Sequence, residues 1–272
     1  MERCFGMQGS EAREASREHL AQNFYGFTIF RRILRGREHP EEWKIEEVNS
    51  QKVIQLRESG QSFIMAPGHF RRESLLPLFM RRISPGGLAT VSIPLPARSL
   101  SPDTIRLRVQ FGQFQDAVSH IRPDGEFVYA GNRGSGLLQL LNHLERPGRQ
   151  VIIFADALWE RTPLLTHTRP FAGMRARDFS IGTAALGRMT QCPVVGCATY
   201  VRSDGTVVVE WGPVISPPPL DEEEADVPNM DRLLDFLECA IGRRPCQYVF
   251  WIGHERKWNT RAQRWEDPGA GK

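Results

Sequence analysis

Lysine is scarce: of 35 basic residues only four are lysine (Lys44, Lys52, Lys257 and Lys272). Charge of one sign is missing too. The formal net charge is +3 over 272 residues, which makes no basic stripe and argues against nucleic acid as a partner. Long hydrophobic runs are absent as well. Stretches such as Phe63 to Gly68 and Leu75 to Met80 fall far short of the ~20 residues a bilayer span needs. The first thirty residues carry Glu2, Arg3, Glu11, Arg13, Glu14, Arg17 and Glu18, too much charge for a secretory signal. The chain therefore reads as cytoplasmic and without a transmembrane segment. The five cysteines are an odd number without C-x-x-C spacing. Cys192 and Cys197 bracket an apolar run, so they read as buried thiols of a reducing compartment.

Hydrophobic residues make up 40% of the chain and charged ones 25%, which excludes collagen, long disorder and a disulfide miniprotein. At this length a sizeable core forms without staples. The arginine excess has a bland source in a GC-rich genome. Its functional reading is that guanidinium forks hold phosphate or carboxylate bidentately.

Periodicity sets the element order. Residues 11–38 place Leu20, Phe24, Phe27, Phe30 and Leu34 three and four apart, an amphipathic helix packed on the body. A peripheral contact of the 20–34 face with the cytoplasmic membrane surface is the alternative. Phe63 to Ala66, Leu88 to Ile93, Phe127 to Ala130 and Val151 to Phe154 read as strands, the first and last of them buried. Helices are expected over Ser74–Arg82, Pro102–Phe111, Gly136–Leu144 and Asp178–Thr190, the last with Asp178 near its N-cap. Val194 to Val201, the Arg202–Gly205 turn and Val207 to Val209 form a hairpin, and Met230 to Arg243 closes the body as a helix. Strands alternating with helices predict an α/β fold, a mostly parallel mixed sheet flanked by helices. The chain divides into a flexible N-terminus (1–14), one α/β domain (15–258) and a polar tail (259–272).

Ligands of open α/β sheets collect at the carboxyl ends of strands. Three such ends carry reactive groups: Gly68-His69-Phe70-Arg71-Arg72-Glu73-Ser74, Gly131-Asn132-Arg133-Gly134, and Asp156. His69 follows a strand and precedes a helix, with Glu73 one helical turn on. A histidine held by a carboxylate is the usual general base, the acid fixing its tautomer. The plainer reading is a histidine hydrogen-bonded at a helix N-terminus, with Glu73 in solvent. Residues 131–136 lack the Lys-Ser/Thr of a P-loop, and Ser135 lacks a G-x-S-x-G frame. His143 and His167 have no ligand-spaced partners, so no metal is expected.

Gly68-His69-Phe70 after an apolar strand resembles the H-F-G-N-W-E core of the lipid A biosynthesis (late) acyltransferases, a branch of the lysophospholipid acyltransferase superfamily. The likeness continues through Gly136-Leu137-Leu138 to Asp156. Pro170-Phe171-Ala172-Gly173 resembles the family's F-F-G, and Gly182 to Leu186 with Cys192 to Val195 its following helix and strand. Arg244-Pro245-Cys246-Gln247-Tyr248-Val249-Phe250-Trp251 is close to a P-x-Q-Y-x-W ending. These collinear matches run from about residue 15 to 258.

The resemblance implies a glycerolipid acyltransferase-like fold and acyl transfer from a thioester to a hydroxyl or amine. The donor would be acyl carrier protein or coenzyme A, with no bound cofactor and a small molecule or lipid as acceptor. Carried over, His69 is the base with Glu73 as its acid. Arg71, Arg72, Ser74, Asn132, Arg133, Asp156, Arg169, Phe171 and Gly173 would bind substrate. Asn132 or Arg133 would stabilise the oxyanion, and an apolar tunnel would take the acyl chain at about 0.8 kcal/mol per methylene.

Two departures stand out. The family has H-x-x-x-x-D/E where this chain has H-x-x-x-E, so the ungapped acid position falls on Ser74, and one residue turns a helical side chain by about 100°. The family's N-terminal membrane helix is also missing. That points away from membrane-embedded lipid A and toward a soluble or carrier-bound intermediate of a specialised lipid or natural-product pathway. Two rival readings stand beside transfer: a non-catalytic binder of acyl chains or a carrier protein, and a thioesterase-like hydrolase.

Overall fold

The computed structural model describes residues 9–70, 76–83, 86–92, 102–121, 126–129, 135–156, 166–248, 257–259 and 264–266. The elements are α1 (Gly9–Leu34), β1 (Ile45–Val48), α2 (Gln51–Glu58), β2 (Phe63–Pro67), α3 (Leu76–Ile83), β3 (Leu88–Ser92), α4 (Pro102–Ile121) and β4 (Glu126–Tyr129). There follow α5 (Ser135–Leu144), β5 (Gln150–Ile152), β6 (Thr166–Phe171), β7 (Met174–Ser180), α6 (Gly182–Thr190), β8 (Val194–Val201), β9 (Val207–Ile215) and α7 (Asp226–Arg243). Two short strands, β10 (Lys257–Asn259) and β11 (Arg264–Glu266), pair antiparallel across the expected boundary between the domain and the polar tail.

Seven strands make one sheet in the order β1-β9-β8-β2-β5-β3-β4. β8, β2, β5, β3 and β4 run parallel. The tight turn after β8 reverses the chain, so β9 pairs antiparallel with β8 while β1 lies parallel to β9. The fold is α/β, a mostly parallel mixed sheet flanked by helices. The central strands are mostly apolar because helices cover both faces. In β2 the alternation decides which helices each residue meets. Ile64 and Ala66 face α5, α6 and α7, whereas Phe63 and Met65 face α1 to α4.

Helix α7 buries Met230, Leu233, Leu234, Leu237 and Ile241 on one stripe, the spacing of an amphipathic helix. Each contributes roughly 1.5–3 kcal/mol relative to exposure. The stripe sits low on the sheet because Gly212 leaves bare backbone under Phe236. A Cβ there would come within 2.7 Å of the ring.

Three expectations change. Helix α1 opens at Gly9, inside the terminus expected to be flexible. The helix expected from Asp178 starts only at Gly182, and residues 166–180 form the antiparallel hairpin β6–β7. Asp178 lies in β7, where its carboxylate accepts the Thr168 hydroxyl at 2.6 Å. Ser180 Oγ instead accepts the first helical amide, Gly182 N–H, at 3.2 Å. Finally, β1 and α2 are additional elements with little apolar signal: β1 is half-buried at every position, and only Val53 of α2 is buried.

Candidate active site

The site lies where β2 and β5, neighbours in the sheet, run out. Their ladder continues beyond the strands, with Ile153 N–H donating to Met65 O and Ala155 N–H to Pro67 O, both at 2.9 Å. This brings Asp156 level with His69. The His69 amide donates to Asp156 Oδ2 at 2.9 Å, and His69 Nδ1 lies 2.6 Å from Asp156 Oδ1. An ionised carboxylate only accepts, so Nδ1 carries the proton. The lone pair of the neutral ring is then on Nε2. Asp156 is fully buried while the His69 side chain keeps 21% of its surface exposed. The ring also stacks on Phe154, with centroids 4.4 Å apart.

A second layer surrounds the aspartate. Arg177, from β7, donates from Nη2 to the main-chain carbonyl of Asp156 at 2.8 Å and from Nη1 to Tyr248 Oη at 2.9 Å. Its guanidinium lies 5.5 Å from the Phe171 ring centroid and 5.1 Å from that of Phe179. Tyr248 is fully buried, bridges to Phe70 through the backbone, and reaches the Asp156 carboxylate with its hydroxyl.

Electrostatics follow from this packing. Burial pushes the Asp156 carboxyl up, but His69 first and Arg177 second outweigh it, holding the group below the ordinary carboxylate value. Burial together with the Asp156 charge pushes the Tyr248 phenol well up, with Arg177 opposing only in part. Tyr248 is therefore a neutral donor and Asp156 an ionised acceptor.

Among the residues expected to act, His69 and Asp156 are brought together. Phe171 is fully buried against Phe179 at 4.9 Å between centroids. Gly173 forms the hairpin tip with Ala172, at φ +83° and +48°, values that suit a type I′ turn. Arg169 is held by carboxylates of α7: Asp231 at 3.0 Å, Asp235 at 2.7 Å and Glu238 at 3.4 Å. His167 shares Asp231 at 2.9 Å, and Glu238 accepts the Ala172 amide at 2.6 Å. The hairpin is thus clamped to α7. Glu73, Arg71, Arg72, Ser74, Asn132 and Arg133 lie outside the described residues.

Sequence reasoning missed the pairing of Asp156 with His69, and it missed Arg177 entirely. The strand-end position of Asp156 was a usable signal. Arg177 offered none, being one arginine among many in a polar stretch. Among the described residues no group of three or more His, Cys, Asp or Glu is placed to hold a metal, and no helix is long and apolar enough to cross a membrane.

The crystal structure of the 1-acyl-sn-glycerophosphate (LPA) acyltransferase PlsC from Thermotoga maritima is similar to this chain. The identity is 14% and the TM-score 0.38, over 89% of this chain and 83% of that one. No family model matches the sequence, and no curated protein matches it.

Proposed function

We propose that this chain is an acyltransferase that moves an acyl group from a thioester, on acyl carrier protein or coenzyme A, to a hydroxyl or amine acceptor. The observation that carries the reading is the 2.6 Å contact of His69 Nδ1 with the buried Asp156 carboxylate at the strand ends. Nε2 takes the acceptor's proton as its oxygen or nitrogen attacks the thioester carbonyl. The tetrahedral oxyanion collapses, the carbon–sulfur bond breaks, and the imidazolium returns the proton to the thiolate. Asp156 keeps the ring in the right tautomer and stabilises the cation, so the mechanism needs no acid four or five residues after His69. Such a base contributes about 10²–10⁴-fold in rate. The collinear motifs around His69, Asp156 and Phe171–Gly173 support the superfamily and its lipid A-type branch.

The test is incubation of purified protein with acyl-carrier and coenzyme A thioesters and a panel of hydroxyl and amine acceptors. Wild type is compared with His69→Ala, Asp156→Asn and Glu73→Ala. Acylated product that falls about 10²–10⁴-fold in the first two variants supports the mechanism. Undiminished transfer by His69→Ala overturns it. Thioester binding without turnover would instead identify a non-catalytic binder, and thioester loss without acylated product a hydrolase.

A further inference from the structure

We propose that Arg177 is a positioning residue: its guanidinium fork, by holding the main-chain carbonyl of Asp156 and the hydroxyl of Tyr248, fixes the carboxylate that orients His69. The proposal rests on the acyltransferase reading only where it concerns turnover.

Asp156 needs such a hold because it lies beyond the end of β5, past the last ladder hydrogen bond at Ala155. The His69 amide holds the carboxylate, and the backbone of Asp156 has to be held from another element. Arg177 supplies that hold from β7, across the gap between hairpin and sheet. Its two nitrogens act on the same aspartate from two sides. Nη2 fixes the carbonyl at 2.8 Å, while Nη1 sets the Tyr248 hydroxyl at 2.9 Å, which in turn reaches the carboxylate. The two phenylalanine rings beside the guanidinium confine its plane. A lysine could make one of these contacts but lacks the rigid fork for both.

The competing role, a staple that merely keeps the hairpin folded, is already filled elsewhere. Arg169, His167 and the Ala172 amide tie the hairpin to Asp231, Asp235 and Glu238 of α7. Removing the Arg177 side chain leaves every one of those contacts in place. What it removes is the hold on the Asp156 carbonyl and on the Tyr248 hydroxyl.

The experiment has a spectral half and a kinetic half. In protein with 15N-labelled histidine, the Nδ1 proton of His69, hydrogen-bonded to a carboxylate, should give a downfield resonance, assigned by its loss in His69→Ala. Arg177→Ala is expected to broaden or abolish that resonance. It should lower kcat by about 100-fold, the cost of a small misplacement of catalytic groups, with KM little changed. Arg177→Lys should recover part of both. Tyr248→Phe, which deletes only the hydroxyl, should shift the resonance by less than Arg177→Ala does. A folded Arg177→Ala protein with the wild-type resonance overturns the proposal. Should that variant not fold, Arg177→Lys decides: a weakened resonance supports the proposal, and one indistinguishable from wild type overturns it. The spectral half needs no substrate. Absence of transfer by the wild type would therefore end the proposed function, while the His69 resonance would still judge Arg177.

Discussion

Asp226 and Asp156 are both buried carboxylates with a basic partner, placed at opposite ends of the parallel strands. Asp226 sits where β8 begins. Its two oxygens take Arg188 Nε at 3.1 and 3.3 Å and Nη2 at 3.0 Å, while Arg188 Nη1 goes to Leu220 O at 2.6 Å. Every nitrogen of that guanidinium is consumed, so the pair ties α6, α7 and the loop at residue 220 together. Asp156 sits where β2 and β5 end, and its partner is an imidazole. One ring nitrogen meets the carboxylate, and the side chain is 21% exposed. The first arrangement is closed and resists change; the second is an oriented base. What separates them is the choice of cation, because guanidinium stays charged at any ordinary pH whereas imidazole exchanges protons near neutrality.

The sharpest test of this contrast is a double dissociation. Asp156→Asn presents an amide where a carboxylate held the Nδ1 proton, which favours the wrong tautomer. Acyl transfer should fall about 10²–10⁴-fold while the fold survives. Arg188→Met should do the opposite. Stripping one partner from a buried pair destabilises by on the order of 3 kcal/mol, a melting temperature lower by roughly 5–10 °C for a chain of this size. Transfer per folded molecule should be retained. Thermal melts and initial rates on the same two preparations check both. Matching losses of activity and stability in the two variants would erase the distinction.

The difference between the two ends also explains what was legible in the sequence. Strands β2, β3, β5 and β8 announce themselves because most of their residues are apolar, buried between two helical layers, while the edge strand β4 is only part-buried. The hairpin β6–β7 does not announce itself. Thr166, Thr168 and Pro170 are exposed, and His167 and Arg169 are half-buried against carboxylates rather than against a core. Before Phe171 the inward positions of β6 meet carboxylates, so that strand gives no hydrophobic alternation to read, and the apolar anchors Phe171 and Phe179 stand one to each strand. Position alone singles out His69 and Asp156, since both follow apolar runs. Their pairing spans 87 residues, a separation no local pattern bridges. The acid nearest in sequence, Glu73, was therefore the natural expectation. The strand order β2-β5, which makes Asp156 the neighbour of His69, is fixed only by tertiary structure.

The α7 clamp gives a smaller effect that sharpens the same comparison. Arg169 meets three carboxylates, but Asp231, Asp235 and Glu238 are 37%, 65% and 37% exposed. Water screens them, and exposed ion pairs contribute about 1 kcal/mol or less. Arg169→Gln should accordingly lower the melting temperature far less than Arg188→Met. A drop as large as that of Arg188→Met would mean that the hairpin and α7 form a closed unit like the Asp226 pair.

The smallest effect lies in the acid limb of stability. Asp156 has its carboxyl below the ordinary value in the folded protein, burial opposing and His69 with Arg177 prevailing. In the unfolded chain it returns to about 3.9. A lowered folded value means that the stabilisation is fully present above the unfolded value. On acidification the unfolded state takes up the proton first, so the stabilisation drains away from about pH 4 downward and is gone below the folded value. Other carboxylates titrate in the same window, so the wild-type curve alone does not isolate Asp156. The difference between wild type and Asp156→Asn does, because the amide never titrates. Urea unfolding of both proteins at pH 5, 4 and 3 should give a stability gap that moves against the wild type below about pH 4. A gap that stays constant to pH 3 would mean that the unfolded and folded states protonate Asp156 alike. The ionised, two-sided hold on this carboxylate would then not exist in solution.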